Sequence, residues 1–513
     1  MNWRSVGYIL GSLCLVSAAA MLPSLGIALF GEETWRMRIV FGAVIAASIL
    51  AGFALRRLTR AHRYDRITPA DGFAVAAFGW MLMAFIGALP YFFSRSIAGT
   101  PGLNLGFVEA FFESMSGFTT TGSTVFGTAL GDGGFGLIGS LPKSLLFWRS
   151  MTHWLGGMGI VVLVLTILPA LRVGGYQLFQ AEVPGPTAER LRPRIRQTAA
   201  ILWGVYILLS ASETLLLWIG DMPLFDSLCH TFGTMATGGF SPKDGSIGYY
   251  ARVGHPHALY FEIVISVFMF LAGCSFLLHY MALKGRPWAY WRNAEFRQYI
   301  RLLLIAIVVL TVFTSISVYD STGEAFRKSV FQTLSITTTT GYVIGDFNAW
   351  PGACRVLLLA LMFCGGCAGS TGGGLKQIRI MVVFKYIYRE LMKLVRPNLV
   401  KRIRVGETTM EEHTCANIIG LVLLWFTIFA LAVFALTIVL GLFGYGDVQL
   451  DTSFSAVAAT LNNIGPGLGD VGATSNYGWM PAPAKIILLL CMLMGRLEVY
   501  AVIVVLLPLA WRK

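Results

Sequence analysis

Stretches of about twenty apolar residues recur along almost the whole chain, and nothing else constrains its fold as strongly. They lie near residues 5–30, 38–55, 71–94, 143–171, 197–220, 257–283, 299–319, 353–384, 415–443 and 484–510. A helix needs roughly 20 such residues to cross the hydrocarbon core of a bilayer, so ten candidate spans follow. Only 13% of the 513 residues are charged and 56% are hydrophobic, whereas a soluble domain carries roughly 25% charge. A water-facing surface cannot be assembled from that composition, which excludes soluble enzyme folds and predicts an all-α integral membrane protein.

The basic residues give an orientation. With the amino terminus in the cytoplasm, 27 of the 39 Lys and Arg fall on that side: Arg4, the segments Arg56–Arg66, Arg172–Arg196, Lys284–Arg301 and Lys376–Arg404, and the tail Arg512 and Lys513. Basic residues accumulate in cytoplasmic loops, so both termini are expected inside. The net charge of +13 is then a matter of topology, and its dispersal among apolar segments argues against nucleic acid as a partner. Fourteen of the 26 acids, Glu109, Glu113, Asp226 and Asp451 among them, belong to outward segments. Acids contribute little to topology, so this bias suggests an outer vestibule that concentrates cations. The first span imitates a signal peptide, with Arg4, an apolar run to Leu22 and Ala18–Ala20 resembling a cleavage site; it is read as a retained helix. The eight cysteines are read as small apolar side chains, since the C-x-x-C of Cys364 and Cys367 has neither a second pair nor a βαβ context.

Four outward segments share one pattern: an amphipathic stretch, then small hydroxyl or amide residues, then glycine. Val108–Phe118 leads into Thr119, Thr120, Thr121, Gly122 and Ser123; Phe225–Met235 into Ala236, Thr237, Gly238 and Gly239, of which Gly238 is taken as the key glycine. Ala325 through Ser335 leads into Thr337, Thr338, Thr339, Thr340, Gly341 and Tyr342; Ser453–Leu461 into Asn462, Asn463, Ile464, Gly465 and Pro466. The four key glycines stand 116, 103 and 124 residues apart. A unit of span, half-helix, glycine loop and span, repeated four times, is an internal repeat. Non-helical backbone at membrane depth is tolerated only where it is buried in protein or lines water. Four such loops meeting on one axis can turn carbonyl oxygens inward to replace the hydration shell of a monovalent cation, while the carboxyl ends of the half-helices favour positive charge.

The eighth span holds six glycines in ten residues, Gly365, Gly366, Gly369, Gly372, Gly373 and Gly374. Each costs about 1 kcal/mol in a helix relative to alanine, so the helix should break at mid-membrane. Beneath the third loop, such a break would hang in the permeation path; a close helix-crossing site is the alternative. A phosphate-binding loop does not fit, because Leu375 intervenes before Lys376 and no strand precedes it. Arg496 lies inside the last span, where a cation costs about 2.5–3.5 kcal/mol. It is read as a positive charge below the loops that tunes throughput, or as half of a structural ion pair with Glu113 or Glu262. Glu498 occupies another face of that helix. His153 and His230 are read as packing or hydrogen-bonding residues.

The segments Ser116–Val125 (SGFTTTGSTV), Thr234–Pro242 (TMATGGFSP), Thr337–Tyr342 (TTTTGY) and Asn462–Pro466 (NNIGP) resemble the four filter loops of the TrkH, TrkG and KtrB superfamily of bacterial potassium uptake proteins. The resemblance covers essentially the whole chain, and the helices before residue 60 are similar to TrkH or TrkG rather than to the shorter KtrB. It implies two amino-terminal helices plus four fused helix, pore-helix, filter-loop and helix repeats around a pseudo-fourfold pore, with boundaries at 1–66, 67–180, 181–285, 286–405 and 406–513. It implies K⁺ ligands at Thr120, Thr121 and Gly122, at Ala236, Thr237 and Gly238, at Thr339, Thr340 and Gly341, and at Asn463, Ile464 and Gly465. A gating role for the Gly365–Gly374 loop and for Arg496 is implied as well. So are a homodimer in inner-membrane lipid and a cytosolic nucleotide-binding regulator of the TrkA type, with no cofactor in this chain and K⁺ as cargo. The GYGD of Gly444–Asp447 precedes the fourth half-helix and is not taken as filter. Two alternatives stay open: a less selective K⁺/Na⁺ pathway, and proton- or sodium-coupled K⁺ symport. An intramembrane enzyme finds no HExxH, paired span Asp or GxSxG to support it.

Overall fold

The structure, a computed structural model, describes residues 2–59, 69–94, 105–127, 137–159, 195–406, 408–506 and 511. The end of the fourth expected span, the basic residues Arg60, Arg63 and Arg66, those from Arg172 to Arg194, and Arg512 and Lys513 lie outside the described residues. Six helices are long and apolar enough to cross a membrane, and two bent helix pairs pass the same test. The helix Ala294–Ser317 shows the solvent these faces require: only 22% of its most apolar stretch is buried, and Leu304, Ile305 and Val308 are exposed. Such faces are liabilities in water and ordinary against lipid.

Two helices, Trp3–Phe30 and Trp35–Leu58, open the chain as a hairpin. The Asn2 side chain caps the first by accepting from the Ser5 amide at 3.3 Å. They cross where Gly11 meets Gly52: a Cβ on either would lie 2.8–2.9 Å from the other's carbonyl oxygen. Small residues let helix backbones approach where lipid supplies no hydrophobic drive. From the loop after the first helix, Glu33 accepts from the Ser144 amide at 2.7 Å and so caps the helix Lys143–Gly157.

After the hairpin the chain runs four times through outer helix, short pore helix, loop and inner helix, the first inner helix being Lys143–Gly157. The outer helices are Pro69–Ser94, Ile195–Ile219, Ala294–Ser317 and Glu412–Leu442. The pore helices are Phe107–Phe118, Leu224–Met235, Thr322–Thr337 and Leu450–Leu461. All four pore helices carry an acid in the first turn: Glu109, Asp226, Glu324 and Asp451. A carboxylate there complements the amino-terminal end of the helix dipole, by roughly 0.3–1 kcal/mol.

These acids revise the vestibule expectation. Glu109 is paired with Lys485 at 2.9 Å, Asp226 with Lys243 at 2.9 Å and Asp451 with Arg355 at 3.8 Å. Asp244 accepts from the backbone of Ile138 and Gly139. Much of the outward acidic excess therefore caps and braces helices.

Two of the inner helices depart from the expected straight spans, while the third breaks at its glycines as expected. Ala258–Ala272 and Phe276–Leu283 meet at 101° around Gly273–Ser275, and Ala482–Arg496 and Tyr500–Leu506 meet at 115°. At the second bend, which follows Gly495 and Arg496, Glu498 and Val499 take left-handed φ values of 55° and 63°. The third inner helix is interrupted between Gly352–Met362 and Gln377–Val395. Beyond helices there is a two-residue antiparallel ribbon that pairs Arg404 with Thr409 and Val405 with Thr408.

Candidate functional site

All four pore helices end in the same hydrogen-bonded cap. The amides of Thr121, Gly238, Thr340 and Ile464 donate five residues back, to the carbonyls of Ser116, Gly233, Ser335 and Ala459, at 2.8–2.9 Å. Those of Thr120, Thr237, Thr339 and Asn463 donate three residues back, to Gly117, Thr234, Ile336 and Thr460, at 2.9–3.3 Å. This is the Schellman arrangement, which requires a left-handed residue after the cap. That residue has φ of 53° at Thr120, 53° at Thr237, 61° at Thr339 and 55° at Asn463. Asparagine tolerates this region, but a β-branched threonine there is strained by about 1–3 kcal/mol, so three of four loops hold backbone strain at matching points.

Two residues after each strained position comes a glycine with positive φ: Gly122, Gly239, Gly341 and Gly465, at 82°, 79°, 79° and 102°. The second loop thus corrects the sequence register. Gly239, rather than Gly238, is the counterpart of the other three, and Ala236 falls at the helix cap with an ordinary right-handed conformation. A T-G-G sequence offers two glycines, and only the hydrogen bonds of the cap decide between them.

These glycines close a ring. A Cβ on Gly122 would overlap the carbonyl oxygen of Gly238, one on Gly239 that of Thr340, and one on Gly341 that of Ile464. On Gly465 it would lie 2.7 Å from the oxygen of Thr121. Each loop therefore presses on the next, first to second to third to fourth and back to the first. Four buried backbone bends surround one axis, with the carboxyl ends of four helices behind them.

Side chains brace the ring from outside. The Asn463 amide donates to Thr121 Oγ1 at 2.9 Å and to the Met492 carbonyl at 3.0 Å, joining the fourth loop to the first and to the last inner helix. Tyr477 Oη donates to the Gly465 carbonyl at 2.8 Å, and Tyr342 Oη reaches back to that of His230 at 2.8 Å. The hydroxyls of Thr119 and Thr121 are 2.8 Å apart, and those of Thr338 and Thr340 repeat the contact. Arg149 and Glu113, both buried, pair at 2.6 Å. Glu113 also receives the Val125 amide, while Arg149 donates to the Ser241 carbonyl and lies 3.5 Å from the centre of the Phe240 ring. His153 shares a 2.8 Å hydrogen bond with the Gly117 carbonyl, which makes it a brace as expected.

The glycine-rich break lies against the inner side of this ring. The Gly373 amide donates to Thr339 Oγ1 at 2.6 Å; a Cβ on Gly372 would sit 3.0 Å from the Thr338 carbonyl, and one on Gly373 would overlap that of Asn462. The neck is closed by Gly365 donating to Leu375 at 2.9 Å and by Gln377 donating to the Gly365 carbonyl at 2.7 Å. One flank docks on the bend of the second inner helix: Cys367 donates to the Gly273 carbonyl at 2.9 Å, and Phe276 to that of Gly369 at 3.0 Å. Gly366 belongs to the neck, where its carbonyl receives the Gln377 amide at 3.2 Å, and Gly374 takes φ of 64°.

Arg496 donates to the Thr371 carbonyl at 2.9 Å and to the carbonyls of Gly156 and Gly157, so it ties the tip of the break to the first inner helix. Its proposed alternative partners are engaged elsewhere, Glu113 with Arg149 and Glu262 with Arg327 at 3.5 Å. Glu498, two residues on, pairs with Arg379. Cys364 and Cys367 are free thiols, and no group of three metal-ligating side chains occurs among the described residues. Gly444–Gly446 is exposed, before the fourth pore helix. Arg149 and Tyr477 escaped the sequence reading, although an arginine inside the apolar run 143–171 was a signal of the same kind as Arg496.

The TrkH family, described as cation transport proteins, matches residues 37–509. The chain is 38% identical to the Trk system potassium uptake protein TrkH of Salmonella typhimurium, over the full length of both. It is 32% identical to the Trk system potassium uptake protein TrkG of Escherichia coli, with 99% of each covered. The crystal structure of the potassium transporter TrkH from Vibrio parahaemolyticus superposes with a TM-score of 0.84 at 34% identity, covering all of both chains. The chain therefore belongs to the TrkH family of cation transport proteins.

Proposed function

We propose that this chain carries potassium into the cell through the ring of loops, as the names of its relatives indicate for them. The observation that carries the reading is the closed circuit in which each loop glycine abuts the next loop's carbonyl. Carbonyls held at fixed spacing replace the water around a bare alkali ion. Ligands at Thr120–Gly122, Thr339–Gly341 and Asn463–Gly465 are retained from the sequence reading, and the corrected register makes them Thr237–Gly239 in the second loop. Four helix ends aimed at the ring favour a cation over an anion.

The glycine-rich break is the gate. Gly372 and Gly373 lie under the ring, and Arg496 holds Thr371 there. With that tip in place the path below the ring is obstructed, and moving it aside clears the path. On the same reading the units divide at 67–180, 181–285, 286–405 and 406–513 after the 1–66 hairpin. The chain works as a homodimer in inner-membrane lipid, with both termini cytoplasmic and a cytosolic TrkA-type nucleotide-binding regulator. The word "system" in the relatives' names supports a partner, and the basic segments support the orientation.

The test is potassium-limited growth of a transporter-deficient bacterium. The parent chain restores growth, and Gly341→Ser, whose Cβ meets the Ile464 carbonyl, shifts the requirement to higher potassium. Equal growth of parent and variant at low potassium, with equal amounts in the membrane, refutes the reading.

A further inference from the structure

Glu295 is the second residue of the outer helix Ala294–Ser317, whose start is fixed by Asn293 accepting from the Phe296 amide at 2.9 Å. Its side chain turns away from solvent, and the residue is 7% exposed. A single carboxylate oxygen, Oε1, accepts two backbone amides: Ala368 at 2.7 Å and Ile378 at 3.0 Å. These amides stand on either side of the tip Thr371–Gly374. Ala368 belongs to the flank docked on the second inner helix, and Ile378 to the first turn of Gln377–Val395. Hydrogen bonds to an ionised acceptor are roughly twice as strong as neutral ones, and the amino-terminal end of a helix adds to their strength.

We propose that Glu295 is a clasp that holds the glycine-rich break in its obstructing position, and so is a positioning residue for gating. The inference rests on the reading of that break as the gate. The two bonded amides lie ten residues apart in sequence and converge on one oxygen. A movement of the tip that separates its flank from its outgoing helix breaks at least one of the two bonds. The arm that carries Glu295 begins the third repeat from the segment Lys284–Asn293, whose Trp288 and Trp291 are exposed. The clasp is therefore anchored outside the loop it restrains. Arg496 grips the tip from the fourth repeat; Glu295 grips the flanks from the third.

The experiment measures rubidium and sodium uptake into liposomes containing the purified full chain without any regulator, for the parent, Glu295→Ala, Glu295→Gln and Arg496→Ala. Removing a charge-assisted bond made in one state only shifts that equilibrium by about tenfold. Basal rubidium uptake should therefore rise by about that factor in Glu295→Ala. In Glu295→Gln, which keeps an acceptor oxygen without the charge, the rise should be about threefold. The rubidium-to-sodium ratio should not move, because the ring is untouched. A merely structural role would lower uptake or leave it unchanged, and either result at equal protein content overturns the proposal. If Glu295→Ala fails to fold, the absence of a rise in Glu295→Gln overturns it alone. If Arg496→Ala raises uptake while neither Glu295 variant does, the clasp is wrong and the gate stands. If none of the three rises, the reading of the gate itself fails.

Discussion

The corrected register of the second loop makes Gly238 and Gly239 separable by experiment. Gly239 has φ of 79°, where an alanine costs about 1–2 kcal/mol in backbone energy. Its Cβ would also overlap the Thr340 carbonyl oxygen, so the third loop's ligand must move. A differential loss of about 1.4 kcal/mol between two ions is a factor of ten. Gly239→Ala should therefore lower rubidium-over-sodium discrimination by about tenfold in a liposome flux assay. Gly238 has no left-handed φ, and its added Cβ would strike the His153 ring, 2.5–2.7 Å from Cγ, Nδ1 and Cδ2. That collision involves a side chain and can be relieved. Gly238→Ala combined with His153→Ala should recover discrimination, at about 1 kcal/mol of stability for the lost hydrogen bond to Gly117. Gly239→Ala combined with His153→Ala should not recover. Tolerance of Gly239→Ala, together with a Gly238→Ala defect that His153→Ala fails to relieve, would refute the register and the ring geometry derived from it.

Arg496→Ala should raise potassium flux, because the Thr371 carbonyl loses its 2.9 Å tether and a positive charge leaves the region below the ring; unchanged flux in correctly folded protein refutes its role. Arg149→Met should lower thermal stability by about 3–5 kcal/mol, since it leaves the buried Glu113 carboxylate uncompensated; Glu113→Gln in the same chain should restore much of it, as followed by thermal unfolding in detergent. Tyr477→Phe removes the 2.8 Å bond to the Gly465 carbonyl, worth about 1 kcal/mol, and should loosen ion discrimination less than Gly239→Ala does. An equal or larger effect would contradict the ranking of backbone over brace.

The pore helices and their loops were legible in the sequence because a short amphipathic stretch followed by hydroxyl residues and glycine is a strong signal when it recurs four times. The expected half-helix Phe225–Met235 and the observed Leu224–Met235 differ by one residue. Composition could not resolve the register of T-G-G, because it depends on which amide completes the cap. The bend at Glu498 and Val499 was illegible because neither residue is a helix breaker; the Arg379 pair meets the chain there. Span length foretold neither that bend nor the one at Gly273, since a broken apolar helix and a straight one have the same composition. Buried charges were half legible. Arg496 stood out in its span, but its carbonyl partners come from residues more than a hundred positions away.

Direct location of the ion decides the central claim. A crystal of the protein grown in rubidium, with anomalous diffraction recorded at the rubidium edge, should show density on the axis between the carbonyls of Thr121, Gly238, Thr340 and Ile464. Rubidium density away from those four carbonyls, in a protein that transports the ion, would contradict it.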